Sequence, residues 1–121
     1  MVDVVVEVGG WEHECCGAAI EREQLVDFRC IRYTADDGRS RLAESHHGGL
    51  DVRADVRVRG RVTEIEVVLD GNTAQPVHRI PSGAALRGFD GDDDGHLEAP
   101  WTGEPIESES SEFLVTVRVD G

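Results

Sequence analysis

Val2, Val4, Val6 and Val8 alternate with Asp3 and Glu7 before Gly9-Gly10. In an extended chain successive side chains face opposite ways, so this period of two predicts a first strand with one apolar face. The same rule predicts a second strand over 25–33, where Val26, Phe28 and Cys30 share a face while Asp27, Arg29 and Arg32 look to water. Cys30 is then a core residue. A short helix over 18–24 is an option just before it. The strongest signal follows a loop-like stretch at 34–50: Val52, Ala54, Val56, Val58, Gly60 and Val62 lie opposite Arg53, Asp55, Arg57, Arg59 and Arg61. From Ile65 through Val67 to Leu69 the apolar parity reverses, which predicts a bulge or bend near 60–64 and one long curved strand, or two strands around a corner.

Asp70-Gly71-Asn72 reads as a turn, residues 76–80 as a short edge strand bounded by Pro76 and Pro81, and Phe113, Val115, Val117 and Val119 as a final strand. Short strands, glycine bends and the lack of a long amphipathic pattern predict an all-β domain over 1–121, a small SH3-like or OB-like barrel or sandwich. An acidic loop at 88–112 is inserted before the last strand.

Charge sharpens this picture. The 121 residues carry 25 acidic and 12 basic side chains, a net charge of −13, and every basic residue is Arg. Nine of the acids fall within 88–112, which contains no Lys or Arg, so a solvated or partly disordered loop is expected there. An acidic chain disfavours nonspecific binding to nucleic acid. No stretch reaches the ~18 apolar residues of a membrane span. The first residues lack the basic start of a signal peptide, and three cysteines, two of them adjacent, do not form a secreted disulfide framework, so a cytoplasmic location is expected.

Two short clusters hold most of the soft ligand atoms, Trp11-Glu12-His13-Glu14-Cys15-Cys16-Gly17 and Glu44-Ser45-His46-His47-Gly48-Gly49. His13, Cys15, Cys16, His46 and His47 offer the nitrogen and sulfur donors that zinc takes in a tetrahedron. The spacing is irregular and contains no Cys-x-x-Cys pair, and adjacent side chains on a strand face opposite ways. The plainer reading is one buried cysteine with the histidines as polar loop groups. A thiol nucleophile with a histidine base uses the same residues, but the flanking acids would raise a thiol pKa.

These motifs, Trp11-x-x-Glu14-Cys15-Cys16-Gly17 and His46-His47-Gly48-Gly49, together with Gly60-Arg61-Val62-Thr63-Glu64-Ile65 and Pro81-Ser82-Gly83, resemble a family of small actinobacterial proteins known only as a domain of unknown function. The resemblance covers most of the chain and implies a type of domain without a mechanism. In that family a Phe-x-Val-Gly-Asp-x-Val-x-Trp stretch usually follows the cysteines; here residues 20–28 lack its Gly-Asp turn.

Two further patterns bear on binding. Asp90, Asp92, Asp94 and Gly95 fall at positions 1, 3, 5 and 6 of a calcium-loop template, but Trp101 stands where a bidentate Glu belongs. That excludes an EF-hand and leaves weak divalent-ion binding open. Arg53, Arg57, Arg59 and Arg61 share a parity, so a regular strand displays them as a positive stripe, either balanced by Asp55, Glu64 and Glu66 or available to an acidic partner, with the 90–112 loop competing for it. The resulting expectation is a binding module without catalysis, using the stripe and Trp11 or Trp101 as contact residues. Its partner would be a protein or small ligand, with neither membrane nor nucleic acid expected. A homodimer through the 76–80 edge stays open. No cofactor is required; zinc held for structure by the Cys/His clusters is the alternative.

Overall fold

The computed structural model describes residues 2–9, 17–34, 36–44, 55–70, 73–106 and 112–119. Their frame is a closed barrel of five strands: β1 (Val2–Gly9), β3 (Leu25–Thr34), β4 (Ser40–Glu44), β5 (Asp55–Asp70) and β10 (Glu112–Val119). Neighbours run in the order β10-β1-β4-β3-β5, and β5 returns to β10 to close the ring. Every junction is antiparallel except β1–β4, which is parallel. The result is a small all-β barrel with one parallel step.

Alternation decides what the ring encloses. Val6 and Val8, Phe28 and Cys30, Val58 and Val62, Ile65 and Val67, and Phe113, Val115 and Val117 are all buried in one cluster. Each fully buried side chain of this size contributes about 1.5–3 kcal/mol relative to exposure, so a core made chiefly of valines suffices without many rings.

β5 is one long strand that serves two walls. Its first part, Asp55 to Arg61, pairs with β3, and its later part, Arg61 to Val67, pairs with β10. The reversal of apolar parity has a direct cause: Val117 faces Val62 and Thr116 faces Glu64, so Thr63 is an extra residue with no opposite number. Such a bulge flips the side chains beyond it and bends the strand. Arg22 gathers the carbonyls around this bend, donating from Nε to Val77 O (3.0 Å), from Nη1 to Thr63 O (3.5 Å) and from Nη2 to Ile65 O (3.3 Å).

Three expectations are corrected, and the described part of the acidic segment gains its anchors. Residues 18–24 form no helix; β2 (Ile20–Glu21) pairs with β7 (Arg79–Ile80), and Glu23 turns the chain at φ 70°. The 34–50 stretch contains β4, whose Leu42 packs against the core. The 76–80 edge splits, because Pro76 ends β6 (Thr73–Pro76), Val77 is buried, and β7 leaves to pair with β2. The described part of the acidic segment is folded on the barrel: a helical turn α1 (Gly83–Leu86), capped by Ser82 Oγ accepting from Ala85 N at 3.1 Å, leads to β8 (Leu97–Glu98) and β9 (Pro105–Ile106), which pair. Leu97 anchors it in the core, and His78 N donates to Glu98 O at 2.8 Å.

Candidate functional site

The barrel's outer wall carries the arginines. On β3 and β5, Leu25 stands opposite Arg61, Asp27 opposite Arg59, and Arg29 opposite Arg57. Like charges directly opposite destabilise a strand pair, so Arg29 facing Arg57 costs stability unless counter-charge is near. Asp27 supplies part of it: Arg57 Nε donates to Oδ1 at 2.8 Å, and Arg59 Nε lies 3.5 Å from Oδ2. Arg61 Nη1 donates to Glu23 O at 2.7 Å. The balance expected from Glu64 and Glu66 is not made there, because the bulge places them opposite Thr116 and Leu114 on β10. Arg57 and Arg59 remain 70% and 74% exposed. Arg53 lies outside the described residues, so the described stripe consists of Arg57, Arg59 and Arg61, with Arg29 joining from β3.

The wall continues onto the β3–β4 hairpin and β1, where it becomes concave. Two lobes of about 590 and 420 Å³ share Glu7, Arg41 and Leu114. Both fall within the few hundred to a thousand Å³ usual for ligand sites. Arg41 sits between Glu7 (3.6 Å) and Asp37 (3.2 Å), and the Tyr33 hydroxyl donates to Glu7. That hydrogen bond, then burial, pushes the Tyr33 phenol up to about 12. Hydrogen bonding from Arg39 N and Arg41 holds Asp37 below its usual value. Arg32 and Arg39 line the larger lobe, and neither guanidinium has an ion-pair partner among the described residues.

The acidic segment does not compete for the arginine stripe among the described residues. Asp93 is clasped by Arg79, whose Nη2 lies 2.7 Å from Oδ1 and 2.6 Å from Oδ2. Asp90 Oδ1 accepts from Asp92 N, Asp93 Oδ1 from Gly95 N, and Asp94 Oδ1 from His96 N, the local turns that short acidic side chains favour. His96 is bracketed by Asp94 (2.5 Å) and Glu98 (2.7 Å), and the two hydrogen bonds raise its pKa. Asp93, Asp94 and His96 each bring a ligand atom within 4.8 Å of the others, yet these atoms already satisfy one another, Arg79 and the backbone.

Of the residues singled out for metal, His13, Cys15, Cys16, His46 and His47 lie outside the described residues, as does Trp11. Cys30 is buried as expected, and desolvation, with Glu44 second, pushes its thiol up to about 12, which removes it as a nucleophile or ready ligand. Trp101 is 84% exposed, with the Arg22 guanidinium 5.6 Å from its ring centre. The sequence alone does not point to Arg32, Arg39, Arg41, Glu7 and Tyr33 as a group; the missing signal was β4, which hides Arg39 and Arg41 in an apparent loop and leaves Glu7, Arg32 and Tyr33, on expected strands, without the neighbour that joins them. No protein-family model matches the chain, and neither a curated protein nor a solved structure matches it. Among the described residues no helix is long and apolar enough to cross a membrane.

Proposed function

We propose that this protein is a binding module that holds an anionic partner against the arginine-bearing wall formed by β3, β4 and β5, and that it performs no catalysis. The observation that carries this reading is charge segregation. Residues 29–61 hold eight of the twelve arginines against five acids, a local net of +3 in a chain of −13. Asp27 and Glu7 offset part of that charge, Asp93 and Asp94 are engaged by Arg79 and His96, and guanidinium forks suit carboxylate and phosphate groups. Exposed Leu25 and Tyr33 lie on the same face as Arg29 and add the apolar contact that interfaces use. An acidic protein surface fits better than nucleic acid, because overall charge opposes a long polyanion and a local patch suffices for a short one.

Retention on immobilised poly-glutamate at low salt tests this. The wild-type protein should be retained and released by salt, and Arg57→Glu/Arg59→Glu should elute markedly earlier while melting normally. Unchanged elution of that variant would remove the β3–β5 face from the proposal.

A second reading has its own support. β1 and β4 are parallel neighbours, with Glu7 beside Ala43, so Gly9 and Glu44, the residues that precede segments 10–16 and 45–50, lie at the same end of the barrel. Those segments carry His13, Cys15 and Cys16 and His46 and His47. Zinc held between them would tie that end together. Elemental analysis of protein purified without a metal column, with thiol titration, tests it: near-stoichiometric zinc with protected thiols supports the site, and metal-free protein with three titratable thiols after unfolding refutes it.

A further inference from the structure

The ring is stitched unevenly. β1 pairs with β10 along its whole length, Val2 to Gly9, but with β4 only at Val6↔Leu42 and Glu7↔Ala43. In its first half the backbone groups that turn away from β10 therefore face no strand among the described residues. The larger lobe opens at this seam. Its lining includes Val4, Val5 and Leu42 from the diverging strands and Arg32, Arg39 and Ser40 from the hairpin.

We infer that the β1–β4 seam is a strand-addition site for an extended acidic peptide, which pairs with the free edge of β1 at Val2 to Val4 and sets its carboxylates on Arg32 and Arg39. The inference rests on the anion-binding reading above and narrows it to one subsite and one partner form. Three observations converge. An unpaired strand edge offers main-chain hydrogen bonds to an incoming strand. Val2 and Val5, 55% and 51% exposed on opposite faces of β1, leave apolar surface on both sides of that edge. The guanidiniums of Arg32 and Arg39 have no carboxylate partner among the described residues, whereas Asp3 is taken by Arg118 (3.2 Å) and Glu7 by Arg41 and Tyr33. The unmatched charge at the seam is positive, so the complementary occupant is acidic. Its extended form follows from the edge, since main-chain pairing along β1 requires a strand.

The test uses a fluorescein-labelled peptide of three Glu-Val repeats and fluorescence anisotropy at low and high salt. Wild-type protein should bind it. Arg32→Glu/Arg39→Glu should weaken binding at least tenfold, and Arg87→Glu, on the far segment, should not change it. Two further peptides carry backbone N-methyl groups on alternate residues, in opposite phases. Strand addition uses one edge of the peptide, so one phase should lose at least tenfold and the other should bind like the parent. Equal binding by both methylated peptides would mean simple charge attraction and would overturn the inference, as would failure of the parent peptide to bind. Should the hairpin variant not fold, amide shifts in isotope-labelled wild-type protein decide: Val2 to Val4 must move on peptide addition. Weakening by Arg57→Glu/Arg59→Glu alone would refute the seam and keep the broader anion-binding reading. If neither charge reversal affects peptide or poly-glutamate, both fall.

Discussion

Among the described glycines compared for an added Cβ, Gly60 has the least room. It faces Val26 on β3, one residue before β5 passes to β10's side, and the bend there drives its backbone against the end of β10. A Cβ at Gly60 would sit well inside van der Waals contact of the Arg118 carbonyl oxygen, 2.9 Å from its carbon and 3.1 Å from Val117 Cγ1. Backbone atoms cannot rotate away, so relief requires moving β10 from β5 near the buried Val62–Val117 pair. Overpacking a well-filled core costs about 1–3 kcal/mol, and a clash with a paired strand's backbone belongs at the upper end, about 3 kcal/mol for Gly60→Ala. For a chain of this size that lowers the melting temperature by roughly 10 °C. Gly38→Ala provides the contrast. Gly38 has a φ of 81° and nothing within 4 Å of an added Cβ, so only conformational strain is felt, about 1 kcal/mol. Differential scanning calorimetry of the three proteins reads both. A Gly60→Ala protein melting within 2 °C of wild type, or below which Gly38→Ala falls, would refute the close approach of β5 and β10.

The acidic segment and the core thiol give three more expectations. Asp93→Asn removes the carboxylate that Arg79 grips and should cost about 1.5 kcal/mol, read as a lower urea midpoint, with Asp92→Asn as the near-neutral comparison. His96 has its pKa raised above 6.5 by Asp94 and Glu98, so its contribution to the loop is fully present below about pH 6.5 and lost as pH rises through the raised value; Asp94, held low by the same contact, loses its contribution only as pH falls through its depressed value. An NMR titration of the His96 ring giving a midpoint at or below 6.5 would contradict the bracket. In a Cys15→Ser/Cys16→Ser protein, Cys30 should resist thiol reagents at pH 8 until denaturant is added, and rapid native-state labelling would contradict its burial.

The strands with strict alternation were legible because a one-sided core imposes period two: Val6 and Val8, Phe28 and Cys30, and Phe113, Val115 and Val117 all lie in the core as expected. The bulge was legible too, since the change of parity between Val62 and Ile65 has few other causes. β4 was hidden because five residues with a single large apolar side chain, Leu42, present no pattern; only its neighbours β1 and β3 make it a strand. What holds the described part of the acidic segment was not legible, since its anchors, Leu97 in the core and Arg79 on Asp93, are long-range contacts that no local window contains. The arginine stripe was half legible: its members followed from parity, but Arg29 and the role of Asp27 required the register of β3 on β5.

Val2 pairs with Val119, so the ring is completed by strands from opposite ends of the sequence. Such pairing must close a long loop before any contact rewards it, which places this barrel among domains that fold in milliseconds to seconds rather than microseconds. Until β10 docks, β1 presents its valines and β5 its bend without their main partner, an interval in which chains can pair with one another. Mutual repulsion from the net charge of −13 keeps incomplete barrels apart during that interval. Acidity that adds nothing to the arginine wall thus protects the route by which the wall is built.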